Sequence, residues 1–244
     1  MLEESILNYY KKYYKDSLGL PNWKELSELR ITEELGEGKK LSLLEEKIGK
    51  IRNKVLLNVG CGTGGFNISA NKYGAITHGI DTDEDAINIC KKKASQNNIS
   101  ADNFKLGMAE NIPFEDNTFD IVYCFTVLEH VNNVRKSLLE MIRVTKPGGK
   151  IYVNSPNYWR LYEGHYKIFW CPLFLIRPIG KFYLYLRKRP VKFLSTLNFL
   201  NNFTVDNLLK NEAVKIIHFK QKNKMGSGAL EIISYRFKYR DCYS

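Results

Sequence analysis

The stretch Val55-Leu56-Leu57-Asn58-Val59-Gly60-Cys61-Gly62-Thr63-Gly64-Gly65 constrains this chain most. It begins as a short, mainly apolar run of the kind that forms a buried parallel strand, then breaks into a glycine-dense turn. Phe66 to Tyr73 follow with helical rather than alternating spacing. Strand, glycine turn and helix in succession bring backbone N–H groups and a helix N-terminus against a ligand. Glycine suits the turn because a Cβ would block both positive φ angles and close approach. The next apolar run, Ala75 to Ile80, ends in Asp81. That is about 20 residues beyond the loop, where a nucleoside-binding α/β fold places an acid for ribose hydroxyls.

Two cofactor classes compete for this unit. Gly60-x-Gly62-x-x-Gly65 satisfies the dinucleotide fingerprint. The wider stretch Asn58-Val59-Gly60-Cys61-Gly62-Thr63-Gly64 resembles the first motif of class I S-adenosylmethionine-dependent methyltransferases, usually Asp/Glu-x-Gly-x-Gly-x-Gly. Asn58 stands in place of the family acid, so a charge near the methionine end is missing. A second stretch, Gly107-Met108-Ala109-Glu110-Asn111-Ile112-Pro113-Phe114-Glu115-Asp116-Asn117-Thr118-Phe119-Asp120, resembles the family's Gly-Asp-Ala-Glu-x-Leu-Pro-Phe-x-Asp-x-Ser-Phe-Asp. Met108 replaces the Asp that often faces the adenine amino group. Leu128-Glu129-His130-Val131 and the turn Lys146-Pro147-Gly148-Gly149-Lys150 also match family features.

The resemblance implies S-adenosylmethionine as cofactor. It implies Gly60, Cys61, Gly62 and Gly64 around the methionine portion, Asp81 and Thr82 at the ribose, and Ala109 and Glu110 at the adenine, with Phe125 lining the same site. Some quinone-pathway O-methyltransferases of the family carry Glu-x-x-Glu-His as magnesium ligands after the fourth strand. Thr126 occupies the first of those positions, and no metal is expected. Two other readings stay open: an NAD-dependent oxidoreductase, and a non-catalytic adenosyl-binding protein suggested by the departures at Asn58 and Met108. The chain has no Tyr-x-x-x-Lys pair for the former.

The strand–helix alternation from 55 to 156 predicts a Rossmann-like α/β fold: a seven-stranded, mostly parallel sheet with helices on both faces. Residues 1–54 form an N-terminal helical segment, in which Ile6, Tyr9, Tyr10, Tyr13 and Tyr14 recur at spacings of three and four. This stripe is read as packing on the domain, with a lid over the pocket as the alternative. Gly36 to Lys40 is expected as a loop before a helix from Leu41 to Ile51. The sheet pattern stops after Asn157 for nearly fifty residues, giving a helical and irregular insertion over 157–203. Residues 204–244 supply a last helix and two strands, the final one antiparallel by the family pattern.

Charge is unevenly spread. Of a net +11, residues 55–156 carry 10 basic and 11 acidic groups, whereas 157–203 carry 8 basic groups against Glu163 alone. Such a field favours an anionic partner. The insertion is therefore the expected acceptor cap, with Arg160, Tyr162, Glu163 and Tyr166 as substrate residues. His165, His130 and Glu129 are the catalytic candidates, because a hydroxyl acceptor needs a base. The Pro-Asn…Tyr-Glu-x-His spacing of the insertion resembles methyltransferases of surface-glycan pathways. That resemblance implies a hydroxyl of a sugar or glycan as acceptor, with another small molecule left open, and the charge of the insertion adds a phosphate- or lipid-linked acceptor as an option. The apolar run Ile168 to Ile176 falls short of the roughly 20 residues of a membrane span. Interleaved aromatic and basic groups permit peripheral membrane contact. Nucleic acid ranks below both, for want of a binding module. Five scattered cysteines without C-x-x-C spacing, and an acidic start with no apolar signal core, lead to the expectation of a cytoplasmic protein.

Overall fold

The computed structural model describes residues 2–35, 38–156, 162–163, 166, 168–218 and 229–236. The chain opens with α1 (Leu2–Lys11), a π-helical turn (Lys12–Ser17), α2 (Trp23–Leu35) and α3 (Gly38–Ile48). Gly38 to Lys40 thus belong to a helix and not to the expected loop. Leu41, Leu44 and Ile48 follow at intervals of three and four, and all are buried.

The alternating region gives β1 (Val55–Val59), α4 (Gly65–Lys72), β2 (Ile76–Asp81), α5 (Glu84–Gln96), β3 (Phe104–Leu106), β4 (Phe119–Phe125), α6 (Val134–Val144) and β5 (Thr145–Pro156). The insertion supplies β6 (Tyr162–Glu163), β7 (Ile168–Phe169), α7 (Arg177–Leu186) and α8 (Val191–Leu194). α9 (Asn202–Leu209), β8 (Val214–His218) and β9 (Ala229–Arg236) follow. Side-chain caps start α5, α6 and α9: Asp83 accepts from the N–H groups of Asp85 and Ala86, Asn133 from Lys136, and Asn201 from Thr204.

The strands run in the order β3-β2-β1-β4-β5-β9-β8. β3 through β5 in that order are mutually parallel, and β9 is antiparallel to both β5 and β8. This is the expected α/β, mostly parallel sheet. Successive strand residues point to opposite faces, which builds two cores. Leu57, Val59, Val122 and Cys124 pack under Leu138 and Met141 of α6, while Leu56, Ile121 and Tyr123 pack under α3 and α4. The winding direction reverses between β1 and β4, so a crevice opens beyond their carboxyl ends.

The insertion holds a small core of its own, made of Tyr166, Ile168, Trp170, Leu184, Leu194 and Leu197. Asn198 ties it to the main domain. Its N–H donates to the Glu129 carbonyl, and its Nδ2 donates to the carbonyls of Leu128 and Val131.

Candidate active site

A cleft of about 1040 Å³ lies at the crevice between β1 and β4. The glycine turn forms its floor. Gly60, Gly62 and Gly64 all have positive φ, at 74°, 52° and 83°. A Cβ on Gly60 would stand 2.2 Å from Cγ2 of Val127, and one on Gly64 would stand 2.3 Å from Sγ of Cys90. At Gly62 it would meet nothing within 4 Å. Gly60 and Gly64 let the turn close on the protein, and Gly62 leaves room for a ligand.

Four of the turn's amides are turned inward. The N–H groups of Gly60 and Cys61 both donate to the Ile80 carbonyl, at 2.8 and 2.9 Å. That of Gly62 donates to Oδ2 of Asp81, and that of Gly64 to the Cys61 carbonyl. These four donors are thus not offered to a pyrophosphate, which weighs against the dinucleotide reading of Gly60-x-Gly62-x-x-Gly65. A cationic, phosphate-free ligand does not call on them. The Cys61 side chain is buried, with its thiol pushed up by a hydrogen bond to Cys90 and by burial.

Asp81 ends β2 at the cleft wall. Its Oδ1 accepts from the Asp83 N–H at 3.0 Å while Oδ2 accepts from Gly62 at 2.8 Å. Burial raises its pKa above the usual 3.8, against the lowering effect of those amides. Thr82 lines the cleft beside it. Asn58, in the family acid's position, lines it too, and its Nδ2 donates to Asn67 Oδ1 at 2.7 Å.

The opposite wall comes from Met108, Ala109 and Glu110. Arg143 clamps this loop to α6: it pairs with Glu140 and Asp116 and donates to the carbonyls of Ile112 and Phe114. Glu110 lines the cleft beside Ala109. Its Oε1 accepts from the N–H groups of Asn132 and Asn133, at 2.7 and 3.2 Å, next to the start of α6. Phe125 lies where expected, in the cleft wall and stacked beside Tyr123 with ring centroids 6.0 Å apart.

Four further side chains line the cleft and are not among the site candidates. Tyr9, Tyr10 and Tyr13 of the first helical segment line the cleft, and the Tyr10 hydroxyl lies 3.3 Å from Thr63 Oγ1. Burial, with Asp81 and Asp83 nearby, pushes the Tyr9 phenol above its ordinary range. The stripe packs on the domain, through Ile6 and Tyr10 against Ile89, and also borders the cleft, over which a lid is the alternative reading. The fourth is Thr126, a β-branched residue at φ 56° just past β4, whose N–H donates to the Asn154 carbonyl. A left-handed conformation there stores about 1–3 kcal/mol of strain at the cleft edge.

The catalytic and substrate candidates separate. His130 is exposed and lines the cleft. Glu129 is fully buried outside the lining and accepts from Ser155 Oγ at 2.8 Å, so it does not reach the cleft. Tyr166 is likewise no substrate residue: it lies in the insertion's core, its hydroxyl donating to the Pro190 carbonyl at 2.7 Å. Tyr162 and Glu163 form β6, paired with β7. Arg160 and His165 lie outside the described residues. No described residue of the insertion lines the cleft. Among the described residues, no three His, Cys, Asp or Glu side chains gather as metal ligands.

Residues 57–153 match the family model of the methyltransferase domain. Over 118 residues the chain is 31% identical to the ubiquinone biosynthesis O-methyltransferase of Coxiella burnetii, which covers 48% of this chain and 50% of that protein. Over 107 residues it is 36% identical to the norajmaline N-methyltransferase of Rauvolfia serpentina, covering 42% of this chain and 36% of that one. The chain thus spans about half the length, or less, of these curated relatives. An S-adenosylmethionine-dependent methyltransferase of Mesorhizobium loti shares the fold, with a TM-score of 0.62 at 14% identity over 82% of this chain and 97% of that one. The sheet order and this match agree: residues 57–153 are a methyltransferase domain, with the fold of the S-adenosylmethionine-dependent methyltransferases.

Proposed function

We propose that the chain transfers a methyl group to a hydroxyl of a small-molecule or sugar acceptor, one that is phosphate- or lipid-linked. The observation that carries this reading is His130, an exposed imidazole lining the same cleft as Gly62 and Asp81. S-Adenosylmethionine, when bound, supplies a methyl group on a positively charged sulfur, already activated for displacement. Gly60 to Gly64 would hold its methionine portion, the Asp81 carboxylate its ribose hydroxyls, and Met108 and Ala109 its adenine. The chain's task is then positioning and removal of one proton. His130 accepts the acceptor hydroxyl's proton, and the three tyrosines keep water from the cleft. The 8 basic groups of 157–203 against one acid favour an anionic acceptor.

The test is transfer of isotopically labelled methyl from S-adenosylmethionine to a panel of sugar phosphates and lipid-linked sugars. Methyl ethers should form, and His130→Gln should lower kcat by about 10²–10⁴-fold with cofactor affinity retained. Label on nitrogen or carbon, or full activity in His130→Gln, would overturn the hydroxyl reading.

A further inference from the structure

α7 has two apolar faces, and one of them faces outward. Its inner face carries Gly180 and Leu184, both buried; a Cβ on Gly180 would stand 2.4 Å from the Phe174 carbonyl oxygen, so this side is pressed close. On the outer face Phe182, Tyr185 and Leu186 follow Pro178 at spacings of three and four, and are 62%, 71% and 61% exposed. A surface helix ordinarily turns its polar side outward. Here the cations Lys181, Arg187 and Lys188, all exposed, flank the apolar stripe. The helix contains no acidic residue.

We propose that this outer face of α7 docks on an anionic lipid bilayer. Phe182, Tyr185 and Leu186 enter the boundary between headgroups and acyl chains, and Lys181, Arg187 and Lys188 pair with the headgroups. A second copy fits poorly, because a twofold contact would set this cationic face against itself. Leu186 has no π face to offer a nucleic-acid base. No helix of the described residues is long and apolar enough to cross a membrane, so the contact is peripheral. The insertion that carries this helix is bonded to two segments that lead into the cleft. Arg189 Nη1 donates to the Gly19 carbonyl, just past the tyrosine helix, and Asn198 holds the 128–131 loop that carries His130. Docking itself does not depend on the methyl-transfer reading.

Sedimentation of the full chain with phosphatidylcholine vesicles, with and without phosphatidylglycerol, tests the proposal. Binding to the anionic vesicles alone is expected. The double variants Phe182→Ser/Tyr185→Ser and Lys181→Glu/Lys188→Glu should each weaken it about tenfold or more, with affinity for S-adenosylhomocysteine unchanged. Absence of binding to anionic vesicles, equal binding to neutral ones, or unaltered binding by the Phe182/Tyr185 variant would overturn it. So would a wild-type dimer that this variant dissociates. Should the serine variant fail to fold, Tyr185→Trp decides: its added emission should shift blue on anionic vesicles, and no shift rejects the proposal.

Discussion

The Asp81 carboxylate holds the Gly62 N–H at 2.8 Å and so fixes the glycine turn to the end of β2. One side chain thereby shapes the floor of the cleft and lines its wall. Asp81→Ala should weaken binding of S-adenosylmethionine about 10–100-fold, the loss expected of a charge-assisted hydrogen bond worth about 1.5–3 kcal/mol. Titration calorimetry checks this. Burial raises the Asp81 pKa above 3.8, so acidification should weaken binding at a higher pH than an ordinary Asp would. Stability runs the other way for this group. Its folded pKa lies above its unfolded one, so it favours folding most below 3.8, and that contribution is lost as pH rises through the folded value.

The glycines should separate stability from binding. Gly64→Ala drives a methyl group to 2.3 Å from Cys90 Sγ at φ 83° and should cost about 3 kcal/mol or more. Gly64→Ala/Cys90→Ala should recover part of that loss in thermal unfolding. Gly62→Ala meets no neighbour, so it should cost only about 1–2 kcal/mol for its positive φ. It should nonetheless impair cofactor binding, because its methyl group enters the cleft.

Tyr10 pins the N-terminal helix to the glycine turn through Thr63. Tyr10→Phe removes that buried bond and should cost about 0.5–1.5 kcal/mol. Hydrogen exchange over residues 2–17 should quicken, and bound cofactor should slow it again. Unchanged exchange would show that the aromatic packing alone holds the lid.

Arg143 holds the Glu140 carboxylate below its ordinary 4.5, chiefly by direct hydrogen bonding at 2.7 Å. A depressed folded pKa gives stability that is present above 4.5 and lost as pH falls through the folded value. Glu140→Gln should therefore lower the melting temperature at neutral pH and flatten its decline on the acid side. The loop over 107–120, clamped by the same arginine, should show increased exchange.

The sequence alone determined the sheet, the glycine turn and Asp81, because each is written locally. Alternation along β4 placed Ile121, Tyr123 and Phe125 on one face, and three glycines in ten residues demanded positive φ. Tertiary structure decided which polar groups reach the cleft. Glu129 looked available and is buried against Ser155 outside the cleft, whereas Glu110 lines it with one oxygen bonded to the amides of Asn132 and Asn133. Tyr166 looked like a substrate residue and lies in the insertion's core, whereas Tyr9, Tyr10 and Tyr13, some fifty residues before the turn, enter the cleft. Periodicity tells which side of a helix is buried. It does not tell what buries it, since that contact forms between segments far apart in the chain and depends on how the elements pack in three dimensions.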